Sequence, residues 1–285
     1  MAKIRRVWSS AAMTKLYHWN LRPATFGFVI LLAACGGPIP DADERRGEQE
    51  TAGYNQIMRV AAVTEKGGDL ISAANFYRRA HGMNPSATVP LLRLGKTLAA
   101  LGDHPGAASA YRQAITLDGK ATEARLGLGK ALINTGESDL AVAEYKMALA
   151  GDPANIDAYN GLGVALNLTG RHQAAENNYL DGLERAPDHL ALQNNLAMSL
   201  ALGGEYGDAI SILRKVINSP AATATNRNNL ALVLGMMGRF DDAAILLRRD
   251  LNREQVKNNL DFYRSLTALN SRQRAQRIFG VSTAK

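Results

Sequence analysis

TEARLGLGKALINTGESDLAVAEYKMALAGDPAN, residues 122–155, is the stretch that decides the fold. Leu128 and Leu132 lie four residues apart, with the small Gly129 beside the first. That step places both leucines on one face of a helix. Gly136 interrupts the run with a residue that accepts the left-handed backbone at a helix end. Beyond it, Ala141, Tyr145 and Ala148 form a second apolar stripe at i, i+4, i+7. Pro153 then stops the second helix. The stretch therefore predicts one helix–turn–helix hairpin.

The same hairpin recurs on both sides. Units of 34 residues start at Tyr54, Thr88, Thr122, Ile156, Leu190 and Ala224. Position 15 is glycine in all six: Gly68, Gly102, Gly136, Gly170, Gly204 and Gly238. Position 20 is alanine throughout: Ala73, Ala107, Ala141, Ala175, Ala209 and Ala243. Position 8 is always small (Ala61, Gly95, Gly129, Gly163, Ala197, Ala231), so the two helices of a unit can approach closely. Position 7 is Val60 and then five leucines, and position 24 is four tyrosines followed by Leu213 and Leu247. Pro90 and Pro105 fall in first turns, where proline is tolerated. Thr64 at position 11 and Asp250 at position 27 mark the end units. Beyond Asp250, Val256, Leu260, Tyr263 and Leu266 recur at helical spacing and predict a capping helix.

Residues 54–247 resemble the tetratricopeptide repeat family. The resemblance implies an all-α superhelical solenoid of about six helix–turn–helix units with a C-terminal cap. The expected divisions are repeats at 54–87, 88–121, 122–155, 156–189, 190–223 and 224–253. A capping helix at 254–270 and a frayed basic tail at 271–285 follow.

The formal charge of +7 is concentrated at one end. Lys3, Arg5, Arg6, Lys15 and Arg22 precede residue 35 with no acidic residue among them, and the remainder is near neutral. A nucleic-acid role loses its main support if that segment is removed. The apolar run 26–34 is too short to span a bilayer comfortably and has the length of a signal-peptide core. Leu32-Ala33-Ala34-Cys35 resembles the lipobox of bacterial lipoprotein precursors. That resemblance implies a signal peptide at 1–34, a lipid on the Cys35 thiol, and a bacterial cell-envelope location. Gly36, where some bacteria use aspartate to retain lipoproteins at the inner membrane, points to the periplasmic face of the outer membrane. Residues 35–53, rich in proline, glycine and charge, read as a flexible tether, with a short helix at 43–50 as the alternative.

No catalytic constellation is visible. His81, His104, His172 and His189 are scattered over different units and read as exposed turn histidines. No glycine-rich phosphate loop is present, and a lone cysteine builds no zinc cluster. The expectation is a non-enzyme without metal or cofactor, apart from the lipid. What remains is binding. In the tetratricopeptide family, first helices line a concave groove with positions 2, 5, 6, 9, 12 and 13 facing in. In units one to three this puts Met58, Leu92, Leu126 and Ile133 there with Arg59, Arg93, Lys96 and Lys130. In units four to six it puts Asn160, Asn194, Asn195, Asn228 and Asn229 there. Asn195 and Asn229, at position 6, resemble the family's contact to a peptide backbone, since an amide donates and accepts at once. Gly161 interrupts that row. Local helix-start capping by the asparagines, and a merely solvated face for the cations, are the alternatives.

The ending GRFDDAAILLRRDL (238–251), followed by NNLDFYR (258–264), resembles the TadD proteins of tight-adherence (Flp) pilus assembly. The resemblance implies a pilotin-like accessory that binds a pilus secretin. A periplasmic tetratricopeptide lipoprotein scaffolding cell-wall hydrolases or outer-membrane assembly is the alternative.

Overall fold

A computed structural model describes residues 42–280, which form fourteen α-helices. The signal segment, the lipobox with Cys35, and residues 281–285 lie outside the described residues. Six hairpins come first. They are α1 (Ala42–Lys66) with α2 (Leu70–Met83), α3 (Thr88–Ala100) with α4 (His104–Leu117), and α5 (Thr122–Asn134) with α6 (Ser138–Gly151). Then follow α7 (Ile156–Leu168) with α8 (His172–Arg185), α9 (Leu190–Gly203) with α10 (Tyr206–Ile217), and α11 (Ala224–Met236) with α12 (Phe240–Leu247). Two further helices, α13 (Arg253–Thr267) and α14 (Ser271–Ile278), complete the described chain. No described helix is long and apolar enough to cross a membrane.

Each hairpin turns where expected. All six position-15 glycines have φ between 79° and 95°. The next residue closes the turn by donating back to position 11, as from Asp103 N to Leu98 O at 2.9 Å and from Glu137 N to Leu132 O at 2.8 Å. Consecutive first helices touch one another and form the inner wall, while second helices pack outside between them.

Close approach is set by tyrosine sockets. A Cβ on Gly129 would come within 2.8 Å of the Tyr145 ring, and one on Gly161 within 2.3 Å of the same ring. Tyr111 is held likewise between Gly95 and Gly127. The ring of units two and three thus lies between a glycine of its own first helix and one of the next. Gly163 receives Tyr179, which is fully buried. Where position 24 is leucine, as at Leu213 and Leu247, position 8 enlarges to Ala197 and Ala231.

The apolar core is two clusters that divide along α9. Leu192 and Leu196 belong to the first, and Ala197, Met198 and Ala201 to the second. Buried polar groups collect at this division: Asn167, Glu176, Asn178, Asn194 and Ser199 all lie in α7, α8 or α9. Ser199 Oγ donates to Asn167 Oδ1 at 2.9 Å, and Asn178 donates to the Tyr159 carbonyl at 2.6 Å.

The structure changes the sequence reading of the helical elements in three places. The segment read as tether is helical from Ala42, because Ala, Glu, Arg and Gln are good helix formers that extend the packed first helix. Residues 271–278, read as a frayed tail, form α14, capped by Asn270 in a reciprocal box with Gln273. Val60 is 41% exposed, although position 7 is buried in every later unit, because no preceding second helix covers unit one. Asp250, the mark of the end unit, accepts two bonds from Arg227, at 2.6 and 2.7 Å.

Candidate binding face on the inner wall

The inner wall has two unlike halves. In units one to three Arg59, Arg93, Lys96 and Lys130 are exposed. Lys96 pairs with Glu123 of the next unit. Met58, Leu92, Leu126 and Ile133 are half-buried and packed on the first core cluster, so each leaves an apolar edge between the cations. Glu65 is held by the Tyr77 hydroxyl at 2.7 Å and by Thr97 Oγ1 at 3.3 Å. Beneath this face, burial and then the nearby Glu123 push the Tyr111 hydroxyl up to about 12. Burial and Asp157 raise Tyr145 in the same way. The surface offers cations and apolar edges in one strip, which is chemistry for holding an extended or helical peptide.

In units four to six the asparagines bond to each other. Asn195 donates to Asn160 Oδ1 at 2.7 Å, and Asn229 donates to Asn194 Oδ1 at 3.2 Å. Asn194 also donates to the Leu190 carbonyl, while Asn228 Oδ1 is buried without a hydrogen-bond partner. The pairs therefore tie neighbouring first helices together. Gly161, which interrupts the row, is the socket for Tyr145.

The second half is also covered. α13 packs more on α11 than on α12, leaning over the inner wall, and α14 then lies on α9 and α7. The wall beneath is apolar. Met198 and Leu232 at position 9, and Leu168, Leu202 and Met236 at position 13, are buried. Their counterparts Ala62, Lys96 and Lys130, and Lys66, Ala100 and Asn134, are exposed. This contrast was readable in the sequence as an apolar stripe with no facing element.

The histidines are not exposed turn residues. His81, His104, His172 and His189 are all partly buried. His172 Nδ1 lies 2.9 Å from Asn167 Oδ1, and burial lowers its pKa. His189 caps α9 through Leu192 N at 3.3 Å. Among the described residues no three His, Cys, Asp or Glu side chains come together as a metal site.

Comparison with curated proteins gives no match. A solved structure of MamA protein aligns with 57% of this chain and 90% of its own length, at 23% identity and a TM-score of 0.54. A tetratricopeptide repeat protein from Parabacteroides merdae aligns with 77% of this chain and 88% of its own, at 16% identity and a TM-score of 0.63. A chain of the APC/C hetero-tetramer Cut9–Hcn1 aligns with 74% of this chain and 42% of its own, at 19% identity and a TM-score of 0.59. At such identities the likeness is one of fold. Residues 92–156 and 169–226 match one tetratricopeptide repeat family, and residues 223–256 match another. Those matches span more than half the sequence, and the chain belongs to the tetratricopeptide repeat family of protein-binding scaffolds.

Proposed function

We propose that this protein is a lipid-anchored, non-enzymatic adaptor whose open inner wall in units one to three holds a segment of an envelope protein. The observation that carries the reading is the asymmetry of the wall. The half left uncovered by α14 exposes Arg59, Arg93, Lys96 and Lys130, whereas the corresponding positions of units four to six carry no cation. The tetratricopeptide fold is typically non-enzymatic, and its curved face suits a protein partner. Cys35 in its lipobox supplies the anchor in this reading, at the periplasmic face of the outer membrane, with acyl chains held at about 0.8 kcal/mol per buried methylene. The resemblance of 238–251 and 258–264 to TadD proteins makes the partner a pilus secretin, and the role a pilotin-like one.

The test is co-purification from detergent-solubilised envelopes. The wild-type chain recovers the secretin, and Arg93→Glu with Lys130→Glu loses it while far-UV circular dichroism is unchanged. Recovery of wall hydrolases or barrel-assembly subunits instead would transfer the role to the alternative scaffold. Mass spectrometry of the mature N-terminus checks the anchor separately, since an unacylated Cys35 overturns it.

A further inference from the structure

α14 is fixed locally and held lightly. The Asn270 box starts it, and Arg274 ties it back to the end of α13 through the Leu266 and Thr267 carbonyls. Arg274 also reaches the Tyr206 hydroxyl at 3.1 Å. Ala275 is fully buried, and Ile278 and Phe279 are half-buried against the second cluster. Arg272 passes 3.7 Å from where a Cβ on Gly170 would stand, so the helix bridges units four and five. The rest of the segment is polar, with Arg272 and Arg277 exposed. One fully buried alanine in an eight-residue helix is a small hold compared with the interlocked rings between repeats.

The wall below is nonetheless shaped for a helix. Leu168, Met198, Leu202, Leu232 and Met236 replace the small or polar residues of the first half, and all five are closed from water. Such a stripe on a first helix that has no repeat packed over it needs an occupant. In this structure α13 covers α11, and the occupant over α7 and α9 is α14.

We propose that α14 is a resident ligand. The inner wall of units four and five is a second binding surface, for a short helix carrying a small residue with apolar residues three and four positions on, as in Ala275, Ile278 and Phe279. The chain's own helix fills it in cis, and a partner helix of that pattern enters by displacing it. This surface is separate from the cationic half, and the inference stands whether or not that half binds a secretin.

Hydrogen exchange of the full-length wild-type chain is the first test. Amides of α14 exchange at least about 100-fold faster than those of α9 and α11, because the helix leaves while the array stays folded. Equal protection overturns the proposal. The second test uses full-length Ala275→Arg and a labelled, end-blocked peptide of residues 268–280, followed by anisotropy. The peptide binds the variant at least about tenfold more tightly than the wild type, since the resident helix no longer competes. Equal affinity for both chains, or binding to neither at millimolar peptide, overturns it. So does a loss of helicity in Ala275→Arg beyond that of α14, which would make this helix part of the core.

Discussion

Replacing Gly163 by alanine tests the socket packing most directly. Alanine is the better helix former by about 1 kcal/mol, so propensity alone predicts a more stable protein. The socket predicts the reverse. A Cβ at this position would stand 2.2 Å from Tyr179 Cζ and 2.4 Å from Cε1. Carbon atoms in favourable contact sit about 3.5–4.0 Å apart, so ring and helix must part by more than about 1 Å. Tyr179 has no exposed surface and no room to swing aside. Overpacking of this kind costs about 1–3 kcal/mol and occasionally more. With the upper end taken for so short an approach, the net loss is about 2 kcal/mol. At about 2–4 °C per kcal/mol for a domain of this size, the melting temperature falls by roughly 4–8 °C. Gly82→Ala is the control, because it lies in α2 with nothing within 4 Å of the added Cβ. It gains about 0.5–1 kcal/mol. The double change Gly163→Ala with Tyr179→Leu reproduces the pairs Ala197/Leu213 and Ala231/Leu247 and recovers at least half of the loss. Thermal and urea melts by circular dichroism give the totals, and hydrogen exchange at α7 and α8 places the loss, since repeat arrays need not unfold in one step. Gly163→Ala melting at or above the wild-type temperature would refute the socket.

Three other outcomes are expected. His172 is kept neutral by burial, so the unfolded chain takes up the extra proton. Its contribution is whole above its usual pKa of about 6.5 and is lost as pH falls through the lowered folded value. Melts from pH 7.5 to pH 5 show that decline, and His172→Gln flattens it. Glu176 has a raised pKa from burial first and Glu205 second, so its charge opposes folding once pH exceeds the folded value. Glu176→Gln therefore stabilises at pH 7, by on the order of 0.5 kcal/mol, and the gain disappears near pH 4 in the same melts. Asn195→Ala leaves Asn160 Oδ1 without its donor and costs about 1 kcal/mol in urea unfolding, with hydrogen exchange at α7 reporting the loss.

The hairpins were legible because every level of the chain agrees on them. Gly136 or Gly170 supplies the turn, Ala141 or Ala175 the close packing, and the leucines of position 7 the face. The tyrosine sockets were half legible. Small residues at position 8 were read as permitting approach, but Gly161 was read as a gap in an amide row, because the ring it receives belongs to the preceding unit. The path of α14 was not legible from its own residues. Arg272, Arg274 and Arg277 make the segment look like a solvated tail, and only Leu168, Leu202 and Met236, far away in sequence, show that something covers them. The asparagine pairs were not legible for a related reason, since the partners lie 35 residues apart on neighbouring helices.

The polar joint along α9 has a mechanical meaning. A stack of near-identical hairpins is expected to resist bending evenly along its length. Here the rings clamp units two to four into a stiff block, while amides and hydroxyls, whose bonds water can replace, line the contact with unit five. Under a load pulling its two ends apart, strain would concentrate at that contact, and the rod would flex or part there before any clamp let go.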